Sequence, residues 1–594
     1  MRQRDWMGLA CRTRRARDGG AQRGRAERDP RVRSERVLDE FMSRSEWRIE
    51  KTEAVGRRGM VIADDPRAAD AGAGILRSGG NAVDAAVAAA LVMGVVDPQT
   101  SGIGGVAAMV VHRADGATTI IDGSGVAPRA SSADMFDLAA SGSAGMYAWP
   151  ATKDNQHNEG PRSVGAPGAI ACFCLALERY GRAGRAAVLS PAIEIAERDE
   201  PVTWVFAAHL GNYAERLWKN AEATRIFYRP SRAPLRTESG LEPGDRVRQP
   251  DLANTLRRIA DGGADEFYRG ETARAILDDV RRLGGVLTSE DLGAYEAREL
   301  EPLTSTYRDI ELRTLPGASG STTLIEALNL LEGFDGLDQL RPDGAPLLHL
   351  IAEASRVAFR DRFAYLSSDD PKAVALLTSK SFAAQHRARR DIDPARAHPH
   401  AEAAPLAAPA DTTHVSVVDG DGMAVSLTAT LGQAYGSGVV PRGTGVLLAD
   451  VMTWFDPRPG RANSIAPGKR ILWAIAPTIA MRSGRPWLVI GAPGGRRLIT
   501  SVLQGVVNCV DFGLGPQAAV NGIRVHCEDQ NTLLDARAAA EVRDALVGYG
   551  HEVRIAEENF FSTHFGRANA IRVDPDGTLR GGVHRLKPTT AVAL

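Results

Sequence analysis

The residues best placed to do chemistry are Asp411 and Thr412, which follow a run rich in alanine and proline at residues 401–410. Thr412 opens an alternating apolar and polar stretch, so we expect it at the start of a β-strand, just after a flexible segment. A threonine in that position can become an N-terminal nucleophile, because its hydroxyl can attack an acyl carbon and its freed amine can act as the base. The sequence therefore predicts cleavage between Asp411 and Thr412 and a covalent acyl mechanism.

A second alternating stretch follows the first after the turn residues Asp-Gly-Asp-Gly at 419–422, and this pattern predicts a β-hairpin. Direct pairing of Val418 with Met423 leaves Thr430 one residue out of line with Thr412. A one-residue bulge would instead bring the two threonines to the same face. The pattern leaves the register open, but either version places both threonines near the start of the strand.

Helices and strands are expected on both sides of residues 393–410, which have no sustained period and predict a loop or tether. Asn81 is expected to cap a helix, and residues 163–392 are mostly helical by period. This alternation predicts a layered sandwich of sheets and helices rather than separate domains. The predicted helices are 66–78, 82–94, 325–334 and 347–366, and the predicted strands are 60–63, 106–112, 310–315, 445–448, 478–481 and 487–490.

Composition excludes several classes of protein. The chain has 594 residues, 44% of them hydrophobic and 24% charged, as in an ordinary globular protein. A net charge of −1 gives no overall electrostatic case for binding nucleic acid or a membrane surface. Five scattered cysteines argue against a disulfide framework and lack a paired zinc motif, so we expect no metal and no cofactor. No apolar run is long enough to predict a membrane span.

The amino-terminal residues 1–55 form a predicted basic extension, rich in arginine and poor in apolar residues. Such a stretch cannot bury a core and is typical of disorder, although a basic arm for an anionic partner is the alternative. It lacks the apolar segment of a secretory signal, which predicts a cytoplasmic protein. A mis-assigned start codon would leave a periplasmic or secreted location open.

Several separate motifs, in the same order, resemble the γ-glutamyltransferase (γ-glutamyltranspeptidase) family of N-terminal-nucleophile hydrolases. The resemblance implies an α+β fold, a four-layer αββα sandwich made by both halves of a self-cleaved precursor. Residues 56–411 would form the large-subunit portion and residues 412–594 the small-subunit portion. The motifs are residues 79–86, 102–105, 163–168, 352–354, 411–421, 436–440, 445–448, 466–470, 476–478 and 492–495.

The resemblance also implies roles for individual residues. Thr412 would be the nucleophile, and Thr430 matches the family's second threonine, whose hydroxyl supports the nucleophile. Gly494 and Gly495 match the glycine pair whose backbone N–H groups form the oxyanion hole. Loss of one such donor typically costs about 3 kcal/mol of transition-state stabilisation.

The substrate clamp of the family is largely missing from this chain. Ser124 stands where the family has an arginine for the substrate α-carboxylate, and such a guanidinium is not easily replaced. Trp473 and Ala474 stand in place of two serines, Trp454 in place of the acidic residue that binds the α-amino group, and Gly432 in place of an asparagine. Other charged residues nearby could rebuild the clamp: Asp450, Asp456, Arg496 and Arg497. The candidate substrate-binding residues are therefore Ser124, Asp450, Trp454 and Trp473.

The implied activity is that of a self-processing amidohydrolase or acyltransferase, in the manner of glutathione hydrolases. Its small-molecule substrate would be a γ-glutamyl amide or a related acyl amide. The alternatives are an amidase without γ-glutamyl specificity, like the related cephalosporin acylases, and an unprocessed, non-catalytic binding protein. The expected partners are the substrate and the two fragments of the precursor.

Overall fold

The computed structural model describes residues 49–367, 370–399, 411–528, 531–559 and 564–594. Residues 1–48 of the basic extension and 400–410 of the tether lie outside this part of the chain. The first described strand, Ala54–Gly56, begins within the range that the sequence assigned to the extension. Among the described residues, every helix is too short or too polar to cross a membrane.

The strands fall into two seven-stranded antiparallel sheets and three small ones. The first large sheet has the order β21-β2-β12-β13-β3-β4-β9, and the second has the order β1-β20-β19-β15-β14-β11-β10. The bounds are β1 Ala54–Gly56, β2 Gly59–Ala63, β3 Val106–His112, β4 Thr118–Gly123, β5 Leu138–Ala144, β6 Trp149–Thr152, β7 Glu200–Pro201, β8 Arg246–Val247, β9 Arg298–Leu300, β10 Leu303–Tyr307, β11 Ile310–Thr314, β12 Thr413–Asp419, β13 Ala424–Thr430, β14 Thr478–Arg482, β15 Arg485–Gly491, β16 Val525–His526, β17 Thr532–Asp535, β18 Val553–Ala556, β19 Asn569–Val573, β20 Leu579–Gly582 and β21 Thr590–Ala593.

The helices cover the outer faces of the two sheets, and the second of them begins as the sequence predicted. Asn81 accepts from the amides of Val83 and Asp84, and the Asp84 carboxylate accepts from the Asn81 amide at 2.9 Å. The bounds are α1 Pro66–Arg77, α2 Ala82–Val96, α3 Ala169–Tyr180, α4 Arg185–Glu197, α5 Trp204–Asn212, α6 Ala214–Leu217, α7 Ala221–Phe227, α8 Pro250–Arg269, α9 Glu271–Arg282, α10 Ser289–Gly293, α11 Gly320–Glu332, α12 Ala345–Tyr365, α13 Pro371–Leu377, α14 Lys380–Ala388, α15 Arg497–Val510, α16 Pro516–Asn521 and α17 Ala540–Tyr549.

Side chains from the central strands reach two separate hydrophobic layers, as strand alternation requires. In β3, Ala108 and Val110 join the core between the sheets, while Met109 and Val111 join the core beneath α1, α2 and α3. Helices α11, α15 and α16 pack against the second sheet from its outer side. The expected four-layer αββα sandwich is confirmed.

The hairpin register differs by one residue from the direct pairing of Val418 with Met423. Val418 pairs with Ala424, and Thr413 pairs with Ala429. The cause is a three-residue loop, in which Gly422 adopts φ +86° and lets the chain turn before β13 begins. Continued by one residue, the observed register places Thr412 directly opposite Thr430, as the bulged alternative required.

Most of the other expected elements are confirmed within a few residues, but the strand predicted at 445–448 is wrong. Leu448 makes only an isolated bridge, to Gly104, and Gly445 has φ +65°. A β-carbon at Gly445 would lie 2.4 Å from the amide nitrogen of Leu252, so this stretch runs tightly against α8. That packing keeps residues 445–448 out of both sheets.

Candidate active site

The structure brings Thr412 and Thr430 together on the face of the first sheet that looks toward the second. Both are buried, and the two hydroxyl oxygens are 3.2 Å apart. Thr430 Oγ1 also lies 2.9 Å from the carbonyl oxygen of Asp411 and 2.9 Å from the amide nitrogen of Gly432. The carbonyl of the Asp411–Thr412 bond and the hydroxyl that follows it are therefore joined through one side chain.

The chemistry of these groups fixes the direction of each hydrogen bond. A hydroxyl has one hydrogen and two acceptor lone pairs. The Asp411 carbonyl can only accept and the Gly432 amide can only donate, so the Thr430 hydrogen points at the carbonyl. Thr430 must then accept the remaining bond from Thr412. This arrangement polarises the Asp411 carbonyl and leaves the lone pairs of the Thr412 oxygen available.

Two residues that the sequence did not single out, His209 and Arg567, flank the Asp411 carboxylate. His209 Nδ1 is 3.4 Å from Asp411 Oδ2, and Arg567 Nη1 is 3.7 Å from Asp411 Oδ1. Arg567 Nη2 also donates to the carbonyl oxygen of Thr412 at 3.3 Å. His209 lies 202 positions before Asp411 and Arg567 lies 156 positions after it, so no local spacing could have indicated them. A small cavity beside Asp411 is lined in part by His209, Arg567 and Lys587.

Gly494 and Gly495 lie just before helix α15, where amide N–H groups at a helix start favour negative charge. Their φ angles are +129° and +58°, and a β-carbon at Gly494 would lie 2.8 Å from the Cα of Gly566. The Pro493 carbonyl accepts from the Arg567 amide at 2.9 Å, which ties this turn to the residue beside Thr412. Within the described residues, no hydrogen bond is made by either glycine amide, so both remain able to donate to a ligand.

His414, two residues after Thr412, belongs to a polar layer between the two sheets. Its Nδ1 lies 2.8 Å from Thr428 Oγ1 and its Nε2 lies 3.2 Å from Ser416 Oγ. Burial lowers the pKa of His414 to about 3, so the ring stays neutral near pH 7. A neutral ring held by two hydroxyl groups is a structural part of strand β12. Gly491 makes room for the ring, since a β-carbon there would lie 2.1 Å from His414 Cε1.

Asp450 and Trp454 lie against the backbone just after Thr430. Gly432 has φ +102°, and a β-carbon on it would lie 1.9 Å from Asp450 Oδ1 and 3.0 Å from Trp454 Cη2. The Asp450 carboxylate accepts from the amide and the side chain of Gln433 at 3.2 and 3.0 Å. Burial raises the pKa of Asp450 to about 7. Asp450 therefore fills the space of the side chain that is missing at position 432.

Ser124 is not brought to the nucleophile. Thr430 pairs with Val106, and continuing the next ladder puts Ser124 beside Val106. Three strand spacings, about 14 Å, then separate Ser124 from Thr412. The Ser124 hydroxyl is already engaged by Arg470 at 3.0 Å.

The other clamp candidates are mostly committed to partners. Asp456 pairs with Arg458 at 2.7 Å, and Arg496 pairs with Glu528 at 2.7 Å. Trp473 is buried, its carbonyl accepts from Arg362, and its indole Nε1 has no hydrogen-bond partner among the described residues. None of these residues belongs to the cluster of possible metal ligands found in the described part of the chain.

Comparison with known proteins assigns the chain to a family. The family model described as gamma-glutamyltranspeptidase matches residues 68–594. The chain is 36% identical to the acylase ACY 1 proenzyme of Pseudomonas sp. (strain SE83), over 93% of this chain and 96% of that protein. It is 35% identical to the glutathione hydrolase proenzyme of Escherichia coli (strain K12), over 88% and 90%.

A solved structure agrees with these relatives. The cephalosporin acylase from Bacillus halodurans superposes with a TM-score of 0.81 at 28% identity, and the match covers 93% of this chain and 98% of that one. The fold is thus that of the N-terminal-nucleophile hydrolases, as the motifs implied. With its four layers, its paired threonines and a family match over most of its length, the chain belongs to the gamma-glutamyltranspeptidase family of hydrolase and acyltransferase enzymes.

Proposed function

We propose that the protein is a zymogen that cuts itself between Asp411 and Thr412 and then uses Thr412 to hydrolyse or transfer acyl groups from amides. The observation that carries this proposal is the position of the Thr430 hydroxyl, which accepts from Thr412 and donates to the Asp411 carbonyl. Both groups that must react in self-cleavage are thereby held by one buried side chain.

In the first step, Thr412 Oγ1 attacks the carbonyl carbon of Asp411. Negative charge develops on the carbonyl oxygen, where the Thr430 hydroxyl already donates at 2.9 Å. The C–O bond forms, the C–N bond breaks, and the hydroxyl proton ends on the new Thr412 amine. Water then hydrolyses the resulting ester. This step releases the main-chain carboxylate of Asp411 as a new C-terminus and leaves Thr412 as a free N-terminus. The fragments hold 411 and 183 residues, counting from either end of the chain.

In turnover, the Thr412 amine takes the hydroxyl proton as Thr412 attacks a substrate carbonyl. The amides of Gly494 and Gly495 supply the donors for the oxyanion, since neither has another acceptor among the described residues. The leaving amine departs with the proton. Water or an acceptor amine then resolves the acyl-enzyme, which gives hydrolysis or transfer.

Asp411 itself indicates the acyl chain that fits. In the uncleaved chain, Asp411 is the acyl group attacked by Thr412, and its carboxylate lies between His209 and Arg567. A substrate that places its carbonyl at the same point directs its own chain toward the same groups. An acyl group that ends in a carboxylate, such as glutaryl, can therefore pair with Arg567.

An α-amino group on the acyl chain gains little in this pocket. Ser124 is engaged by Arg470 and lies across the sheet, and Trp454 offers no charge. The Asp450 carboxyl lies beside Gly432, but it is held by Gln433 and its pKa is raised to about 7, so it is a weak partner for an ammonium. Leaving a substrate ammonium without a fully charged partner costs several kcal/mol. We therefore propose acyl amides without the α-amino acid group as the preferred class, with γ-glutamyl amides as the alternative.

A denaturing gel of the purified, folded protein tests the processing step. Two bands, of 411 and 183 residues, support it. A chain that stays intact through long incubation favours the non-catalytic binding protein instead.

Kinetics on p-nitroanilides test the substrate class, with glutaryl, γ-glutamyl and butyryl as the acyl groups. We expect the highest kcat/KM for glutaryl. Arg567→Met should lower kcat/KM for glutaryl at least tenfold more than for butyryl. Only the glutaryl group has a carboxylate that can pair with Arg567 and lose that partner in the variant. A strong preference of the wild type for γ-glutamyl, or an equal loss on both acyl groups in the variant, contradicts this assignment.

A further inference from the structure

Three titratable side chains converge in the helical layer on the far side of the second sheet. Glu326 comes from α11, Asp361 from α12 and His386 from α14. One ligand atom from each lies within 4.8 Å of the other two. All three residues are buried, with Glu326 at 0%, Asp361 at 4% and His386 at 2% exposure.

Glu326 is the anomaly in this cluster. Neither of its carboxylate oxygens has a hydrogen-bond partner among the described residues, although the side chain is fully buried. A buried acceptor without a partner costs about 1–3 kcal/mol, and more when it is charged. In native structures such a buried group nearly always has a partner, which can be another protein group, a water, a proton or an ion.

The other two residues are oriented by contacts on their outer sides. His386 Nδ1 lies 2.6 Å from Asp391 Oδ2, which turns Nε2 inward to 3.0 Å from Asp361 Oδ2. Arg360 Nε donates to Asp361 Oδ1 at 3.0 Å, so the opposite oxygen of Asp361 faces His386. A metal-bound histidine almost always donates its second ring N–H to a carboxylate, a backbone carbonyl or a water, since that contact fixes the tautomer and the ring plane.

Three carboxyl groups, those of Glu326, Asp361 and Asp391, crowd this buried cluster, and Arg360 supplies one positive charge near them. If all three are ionised and the imidazole is neutral, a divalent cation between Glu326, Asp361 and His386 balances the cluster. Protons on Glu326 and His386 are the other way to balance it, since the pKa values of both groups are raised.

We propose that Glu326, Asp361 and His386 bind a divalent first-row transition cation of the Zn²⁺ or Mn²⁺ type. The ligands would be one oxygen each from Glu326 and Asp361 and Nε2 of His386. Two carboxylates with one imidazole suit these metals, whereas Mg²⁺ and Ca²⁺ prefer oxygen donors alone. The 3.0 Å between Asp361 Oδ2 and His386 Nε2 suits two ligands of one metal, each bonded at about 2.0–2.2 Å.

Such an ion would be a structural crosslink within the helical layer. It would join α11, α12 and α14, whose sequence positions span more than fifty residues. The strongest competing explanation is a proton, because burial and the nearby Asp361 raise the pKa of Glu326 well above its usual value. A protonated Glu326 could donate to Asp361 and satisfy the pair without metal.

Metal content and thermal unfolding of the full-length protein test the proposal. We expect about one equivalent of zinc or manganese per purified chain. After chelation, the Tm should rise by several degrees on addition of ZnCl₂ or MnCl₂ and should not rise with MgCl₂ or CaCl₂. A chain without bound transition metal and without a Tm response overturns the site, and an equal response to MgCl₂ overturns the class of metal.

Glu326→Gln separates the metal from the proton. Glutamine has the shape of the protonated acid and can donate to Asp361, so the proton explanation predicts an unchanged Tm. The metal proposal predicts loss of the bound equivalent and of the Tm response. Glu353→Gln is the matched control, because Glu353 is an equally buried carboxylate on α12 that pairs with Arg356 at 3.1 Å. This control should keep its metal, and retention of metal by Glu326→Gln would overturn the proposal.

Discussion

The surroundings of Thr430 and of Glu326 are two buried polar regions that differ in how completely they are satisfied. Around Thr430, one hydrogen and two lone pairs meet one acceptor and two donors. Around Glu326, two oxygens meet no donor among the described residues, although both regions exclude water almost fully. The Thr430 network holds the reacting groups of its own chain in place, whereas the Glu326 oxygens require a partner, which we propose to be a metal ion.

The two regions also lie on different layers, Thr430 on the first sheet and Glu326 on a helix outside the second. Changes at distant sites without shared partners add independently. We therefore expect Glu326→Gln to leave self-cleavage intact and Thr430 variants to leave metal content intact. A variant of one region that changes the other readout would break the comparison.

The largest effect is expected at Thr412. Thr412→Ala should abolish both self-cleavage and turnover, because the attacking hydroxyl is gone. Thr412→Ser keeps a hydroxyl and an amine and should retain part of each activity. A gel time course and anilide kinetics check this, and substantial turnover by the alanine variant would place the nucleophile elsewhere.

Thr430→Val should come next, since valine keeps the shape and loses the donor to the Asp411 carbonyl. We expect self-cleavage to slow by about 10²–10³-fold, the usual cost of one donor to a developing oxyanion. Thr444→Val is the matched control, because Thr444 donates to the Pro441 carbonyl at 2.8 Å and accepts from the Val446 amide at 3.1 Å. Equal slowing of self-cleavage in both variants would mean that the loss comes from disturbed packing and not from the missing donor to the Asp411 carbonyl.

Gly432→Ala is expected to have a smaller, structural effect. Its methyl group would lie 1.9 Å from Asp450 Oδ1, on a backbone with φ +102°. Gly422→Ala separates these causes, because Gly422 has φ +86° and open space around it. Strain alone should cost about 1–2 kcal/mol of unfolding free energy in each, and the contact with Asp450 should make Gly432→Ala clearly worse. Equal losses in urea unfolding would mean that Asp450 moves freely.

The last prediction concerns Asp450 and pH. Burial raises its folded pKa to about 7, whereas an unfolded aspartate titrates near about 3.9. The folded chain therefore holds the extra proton between these values, and Asp450 makes stability fall as pH rises from about 4 to about 7. Asp450→Asn should flatten that part of the curve of Tm against pH. An unchanged slope would show that Asp450 is already ionised in the folded protein.

Local signals in the sequence predicted much of this architecture. Asn81 with Asp84 marked a helix start, and the alternation around residues 419–422 marked a hairpin whose loop length alone set the pairing of Thr412 with Thr430. The stretch 445–448 carries the same apolar pattern as a strand, but contact with α8 prevents pairing. Packing against a distant helix keeps this stretch from forming a strand, and the local β-propensity of its residues carries no information about that contact.

Contacts that unite distant parts of the chain were beyond prediction. Arg567 and His209 contact Asp411 although they are more than 150 residues from it, on either side in the sequence. Glu326, Asp361 and His386 share no spacing typical of a metal motif, so the sequence predicted no metal. Only the packing of α11 against its neighbours brings those three side chains together.

The fit of Asp450 against Gly432 also limits how the pocket can evolve. The asparagine that the family resemblance implies at position 432 and the carboxylate at position 450 compete for one volume. A lineage that regains the side chain at 432 must first lose or rotate the one at 450, because the reverse order passes through a clash. The two positions are therefore epistatic, and libraries that vary them one at a time will miss the functional pairs.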